Sequence, residues 1–65
     1  MNNLEDGFYL THPTASSAIN TRVVEVADNQ VQVVNGTGRL WFPVAAFFNI
    51  NTLIRQLTED EADAL

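Results

Sequence analysis

The sequence predicts a mainly β fold, a small barrel or strongly bent sheet of four to five short antiparallel strands with a short C-terminal helix. Three observations predict it. Short apolar and β-branched runs recur at close spacing, separated by turn residues such as Asp28-Asn29 and Asn35-Gly36-Thr37-Gly38. Gln30 to Val34 alternates polar with apolar, the period of a half-buried strand. All six aromatic residues fall in three adjacent doublets, Phe8-Tyr9, Trp41-Phe42 and Phe47-Phe48. Neighbours on a strand point to opposite faces, so a doublet cannot bury both rings in one core, and a 65-residue chain has only one core to offer. Some of these rings must lie under a covering helix, in a subunit contact, or on an exposed apolar patch.

Gly7 to Thr11 is a short apolar run bounded by Asp6-Gly7 and His12-Pro13, and it reads as the first strand. His12 to Asn20 is rich in Pro, Thr, Ser and Asn and reads as a loop, with Pro13 keeping His12 extended. Thr21 to Ala27 is the β-branched second strand. Asp28-Asn29 is a two-residue hairpin turn, since both residues tolerate positive φ. Gln30 to Val34 follows as the third strand, with Val31 and Val33 on one face and Gln30 and Gln32 on the other.

Asn35 to Gly38 reads as a second hairpin loop. Arg39 to Val44 is the next strand, with Leu40, Phe42 and Val44 toward the core and Trp41 away from it. Pro43 cannot donate to a ladder, which places this strand at an edge or ends it there. Ala45 to Ile50 reads as a helical turn leading to a last short strand. Asn51-Thr52 resembles an N-cap, and Ile50, Leu53, Ile54 and Leu57 are spaced as one apolar helical stripe. Thr58 to Glu61 fits the T-x-x-E capping box, and the acids after it suit a helix N-terminus. The pattern leaves open whether a helix restarts at Thr58 or runs through it. Residues 1–57 are thus expected to form a single β-barrel domain with a terminal helix starting near residue 52. Residues 58–65 are expected to form an acidic C-terminal tail or short helix, ordered only against a docking surface.

The stretch from Gly36 to Phe48 resembles the end of an SH3-type barrel, in the minimal form met in bacterial and phage proteins. In that family a distal hairpin leads into a Gly-x-x-Phe-Pro-like strand, a short 3₁₀ turn and a final strand. The Phe-Pro step would be Phe42-Pro43, the turn Val44 to Phe47, and the final strand Phe48-Asn49-Ile50. The resemblance covers about half the chain and implies the barrel topology alone. The chain lacks an Ala-Leu-Tyr-Asp-Tyr-like start, a paired tryptophan and the acids of the family's first loop. Binding of proline-rich peptides is therefore not implied.

Composition narrows the functional classes. With no cysteine there is neither a disulfide framework nor a thiolate metal site. The opening Met-Asn-Asn-Leu-Glu-Asp has no basic or apolar leader region, and no apolar run is long enough to span a bilayer, so a cytoplasmic location is expected. The formal charge is −5, and Glu59, Asp60, Glu61 and Asp63 place −4 of it in the last eight residues. The only cations are Arg22, Arg39 and Arg55. Counterion release can then contribute little, which argues against nucleic acid as a partner, and an anionic membrane is disfavoured for the same reason.

Catalytic chemistry finds little support. His12 is the only histidine, and the nearest hydroxyls, Ser16 and Ser17, come with no third group at recognisable spacing. A strand-end polar residue before Pro13 is the simpler reading. Gly36-Thr37-Gly38 followed by Arg39 offers backbone N–H groups and a cation to a phosphate, but such loops open a helix, and this one opens a strand. The tail carboxylates lack calcium-loop spacing, and a solvated helix end accounts for them. No metal or other cofactor is expected, and the chain is read as a non-enzyme.

What remains is binding. Trp41 faces away from the core, and tryptophan is favoured at interface centres because it buries a large rigid area and offers one donor. The competing reading is that the terminal helix covers it through Leu53, Ile54 or Leu57. The expected function is a protein–protein interaction module, a small phage or bacterial accessory factor that binds and modulates a larger protein. Its binding residues would be Trp41, Arg39, Tyr9 and Phe48, with the acidic tail setting register or specificity. Two alternatives stand beside it. One is a self-assembling or virion-associated subunit that buries the doublets between copies, and the other is an acidic mimic of nucleic acid acting through Glu59, Asp60, Glu61 and Asp63.

Overall fold

The computed structural model describes residues 4–15, 20–34 and 40–65. Five antiparallel strands and two short helices follow one another as β1 (Gly7–Pro13), β2 (Arg22–Ala27), β3 (Gln30–Val33), β4 (Trp41–Pro43), α1 (Val44–Ile50), β5 (Asn51–Leu57) and α2 (Glu59–Ala64). The strands form one sheet in the order β4-β3-β2-β1-β5. The chain meanders outward from β1 to β4, crosses back through α1, and lays β5 along the free side of β1. The fold is mainly β, as expected. The described pairings leave β4 and β5 as two separate edges, so the sheet is open rather than a closed barrel.

The β2–β3 hairpin forms where local chemistry dictates it. Asp28 and Asn29 adopt φ of 51° and 61°, the two left-handed positions of a type I′ turn. The register pairs Val26 with Val31 and Val24 with Val33. On the adjoining pair, Tyr9 sits beside Val24. These residues share one face, which α1 covers with Val44 and Phe47, and together they make the core. β1 runs two residues further than expected, taking His12 and Pro13 into the strand.

The segment after β4 departs most from expectation. Residues 44–50 are a continuous helix, so Phe48-Asn49-Ile50 is not the final strand. The helix starts at Pro43, which has no N–H to satisfy, and Val44 N donates to Asn29 O at 3.1 Å. Asn51 closes the helix rather than opening another. It is extended, and its Nδ2 donates to Phe47 O at 3.0 Å, satisfying one of the terminal carbonyls.

Residues 52–57 are therefore strand, not the terminal helix expected to start near residue 52. The pairing of β5 with β1 explains the misreading. Leu10 pairs with Arg55 and Thr11 with Leu53, which leaves Ile54 as the extra residue of a β-bulge. The bulge shifts the two-residue alternation, so apolar residues at 53, 54 and 57 imitate helical spacing. Leu53 packs on the helix-covered face, while Leu57 pairs with Phe8 on the opposite face.

α2 begins afresh at Thr58, which settles the question left by the sequence. Thr58 Oγ1 accepts from Glu61 N at 3.1 Å, and Glu61 Oε1 accepts from Thr58 N at 3.0 Å. This is the reciprocal capping box. α2 packs back on β1 and β5, the docking surface that so short a helix requires.

Candidate functional site

Exposed apolar side chains gather at the β4 edge. Leu40 is 64% exposed, and Trp41 and Phe42 are each 42% exposed. The expectation that Leu40 faces the core is corrected, because Leu40 precedes the strand and no partner strand holds it against the sheet. Val44 is buried, but as the first residue of α1. Pro43 ends β4, as expected, and β4 is an edge.

The register separates Trp41 from Phe42. Phe42 pairs with buried Val31 and so points to the helix-covered face. Trp41 pairs with Gln32, Gln32 with Glu25, and Glu25 with Phe8, which puts Trp41 on the opposite face beside polar neighbours. The alternative in which a terminal helix covers Trp41 is overturned. Leu53, Ile54 and Leu57 belong to β5 at the far edge of the sheet, and α2 packs on β1 and β5.

The other expected binding residues separate. Tyr9 is corrected to a core residue: it is 4% exposed, and its hydroxyl donates to Glu5 O at 2.8 Å. Burial, then the nearby Glu5 and Asp6 charges, push its phenol above the usual value. Phe48 is half-buried, edge-on to Phe47 with ring centroids 5.1 Å apart, and packs against the core. Arg39 lies outside the described residues, as do the Gly36 to Gly38 loop and Ser16 and Ser17. The tail acids are carried by α2. Glu59, Asp60 and Glu61 occupy its first turn, where carboxylates favour the helix dipole. His12 is half-buried in β1, with Nδ1 2.9 Å from Pro13 O, the position of a structural histidine.

On the helix-covered face an open groove of about 290 Å³ runs between Phe42 and α1, walled by Phe47, Ala46 and Ile50. Arg22 and Asn51 are its polar members. The register brings them to one end of the sheet: Arg22 pairs with Thr11, and Asn51 with Pro13, two residues along β1. Asn51 is 5% exposed, and its Oδ1 has no hydrogen-bond partner among the described residues. No periodicity could have revealed this, because Asn51 follows an apolar run and reads locally as a helix cap.

Among the described residues no group of His, Cys, Asp and Glu is placed to hold a metal ion, and no helix is long and apolar enough to cross a membrane. No protein-family model, curated protein or solved structure matches the chain.

Proposed function

We propose that this chain is a non-enzymatic protein–protein interaction module whose contact is centred on Trp41. The observation that carries the reading is a half-exposed tryptophan on an edge strand, on the face opposite the one that α1 covers. A large rigid ring at an exposed position gives much contact area for little lost side-chain entropy. Leu40 extends the apolar surface beside it. In this reading the module is an SH3-like domain of phage or bacterial type acting on a larger protein in the cytoplasm. The antiparallel meander, with the last strand returning beside the first, supports that comparison.

The test is capture from host lysate with wild-type and Trp41→Ala chains side by side. A stoichiometric partner held by the wild type and lost by Trp41→Ala, with circular dichroism unchanged and cooperative melting retained, supports the module. Retention of the partner by a folded Trp41→Ala chain sinks it.

A second reading, self-assembly, is favoured by the spread of exposed apolar residues beyond β4, with Ile50, Ile54 and Leu65 also open to solvent. Sedimentation equilibrium separates the two, because a monomer at high concentration leaves no room for the second.

A further inference from the structure

The groove on the helix-covered face presents three unmet demands within one small space. Its walls are aromatic and aliphatic and open to solvent, and Ile50 in particular is 65% exposed. Arg22 at its rim has no ion-pair or hydrogen-bond partner for its guanidinium among the described residues. Asn51 Oδ1 is a buried acceptor without a donor among the described residues, and such a group costs about 1–3 kcal/mol of desolvation. One N–H of its own Nδ2 already donates to Phe47 O, and the oxygen is the side-chain atom left buried without a partner among the described residues. An apolar wall, a free cation and an orphaned acceptor together describe the complement of one ligand chemistry.

We propose that the groove docks an acidic apolar segment of a partner protein. An apolar side chain enters between Phe42, Phe47 and Ile50, an adjacent Asp or Glu pairs with Arg22, and a backbone N–H of the segment reaches Asn51 Oδ1. That oxygen is buried, so the donor reaches it on a local shift of the exposed Ile50 that lines the groove next to it. The volume lies near the lower limit of small-ligand pockets, about 300–1,000 Å³, and suits one or two side chains rather than a folded surface. The chain's own negative charge is concentrated on α2, which follows the end of β5 remote from Asn51 and is tied to Arg55 through Glu61, so among the described residues Arg22 is the cation left for an incoming carboxylate. The groove faces away from Trp41, so this site is additional to the surface proposed above.

The test is an NMR titration of the isotopically labelled full chain with the capped peptide Ac-Glu-Leu-Leu-Glu-NH2. Its neutral counterpart Ac-Gln-Leu-Leu-Gln-NH2 serves as the control. The expected result is movement of the Asn51 side-chain amide, Arg22 Nε–H and the α1 amides. The neutral peptide, or the exposed substitution Arg22→Gln, should weaken binding about two- to five-fold. Trp41→Ala should change it by less than about two-fold, since that ring lies on the other face. The inference is overturned by no movement of groove resonances, by equal binding of the two peptides, or by groove shifts that appear with protein concentration alone, which would assign the groove to a second copy. Peptide shifts abolished by Trp41→Ala would also sink it while leaving the Trp41-centred module standing. Groove binding that persists where Trp41→Ala keeps its captured partner would do the reverse.

Discussion

Arg55 Nη1 lies 3.0 Å from Glu61 Oε2 and ties the last strand to the helix that follows it. Both side chains are about half exposed, so the pair by itself contributes little. Its effect comes from what Glu61 already does. The same carboxylate accepts from Thr58 N while Thr58 Oγ1 accepts from Glu61 N, so Arg55 closes a three-residue arrangement around the start of α2. The Thr58 N–H first, and the Arg55 guanidinium second, hold the Glu61 carboxyl below its usual 4.5.

α2 should therefore loosen in acid before the sheet does. A carboxyl whose pKa is lowered by folding stabilises the folded form fully above its ordinary value of 4.5 and loses that contribution as pH falls through the lowered one. Amide exchange at Ala62 and Ala64 should accelerate below pH 4.5 while exchange at Val24 and Val31 stays slow. Thr58→Ala should produce the same fraying at neutral pH, at a local cost of about 1 kcal/mol. Equal loss of sheet and helix protection would show that α2 is not a separate unit.

Tyr9 predicts the opposite limb. Folding raises its pKa above the ordinary 10.0, chiefly by burial. The stability it confers is complete below pH 10 and falls as pH climbs through the raised value, because only the unfolded chain ionises freely. Tyr9→Phe removes the 2.8 Å bond to Glu5 O and the titrating group together. It should lower stability at pH 7 by about 0.5–1.5 kcal/mol and flatten the alkaline decline in a urea-melt series. An unchanged alkaline slope would assign the decline to other groups.

How far the fold can be read from the chain depends on the range of the interaction that determines each part. The β2–β3 hairpin is legible because Asp28-Asn29 and the Val31/Val33 alternation act within a few residues of one another. The capping box is legible for the same reason. β5 is not, because Ile54 is a bulge defined only against Leu10 and Thr11 across the sheet, and its effect on spacing copies a helix. At the β4 edge, Trp41 is legible as outward-facing from alternation alone. Tyr9 is misjudged because a doublet does not say which of its two rings is buried; pairing with Val24 decides it. Arg22 and Asn51 are invisible as a pair, lying 29 positions apart in sequence and meeting only through β1.

The turn offers a cheap check of the hairpin. Asn29 holds φ of 61°, a region that costs most L-residues about 1–2 kcal/mol and asparagine less. Asn29→Ala should lower the melting temperature by several degrees, since ~1 kcal/mol corresponds to about 4–8 °C in a domain of this size. Asn29→Gly should hold or raise it, because glycine occupies the left-handed region freely while costing some entropy in the unfolded chain. Equal effects of the two substitutions would mean that the turn does not adopt type I′ geometry.

Phe47 and Trp41 should separate core from surface most sharply. Phe47 is buried between α1 and the valines of β2 and β3, and truncation of such a ring costs about 3–5 kcal/mol. A chain of this length has a total stability of about 3–10 kcal/mol, so Phe47→Ala should leave much of the population unfolded at 25 °C. Trp41 removes less when truncated, because its ring already meets water and rests beside Gln32 rather than in the cluster. Trp41→Ala should cost about 1–2 kcal/mol, well short of the Phe47→Ala loss, and keep the melting curve cooperative. Paired urea melts of the two variants give the comparison directly. A Trp41→Ala loss as large as that of Phe47→Ala would make Trp41 part of the core and remove the structural basis for an interaction surface at β4.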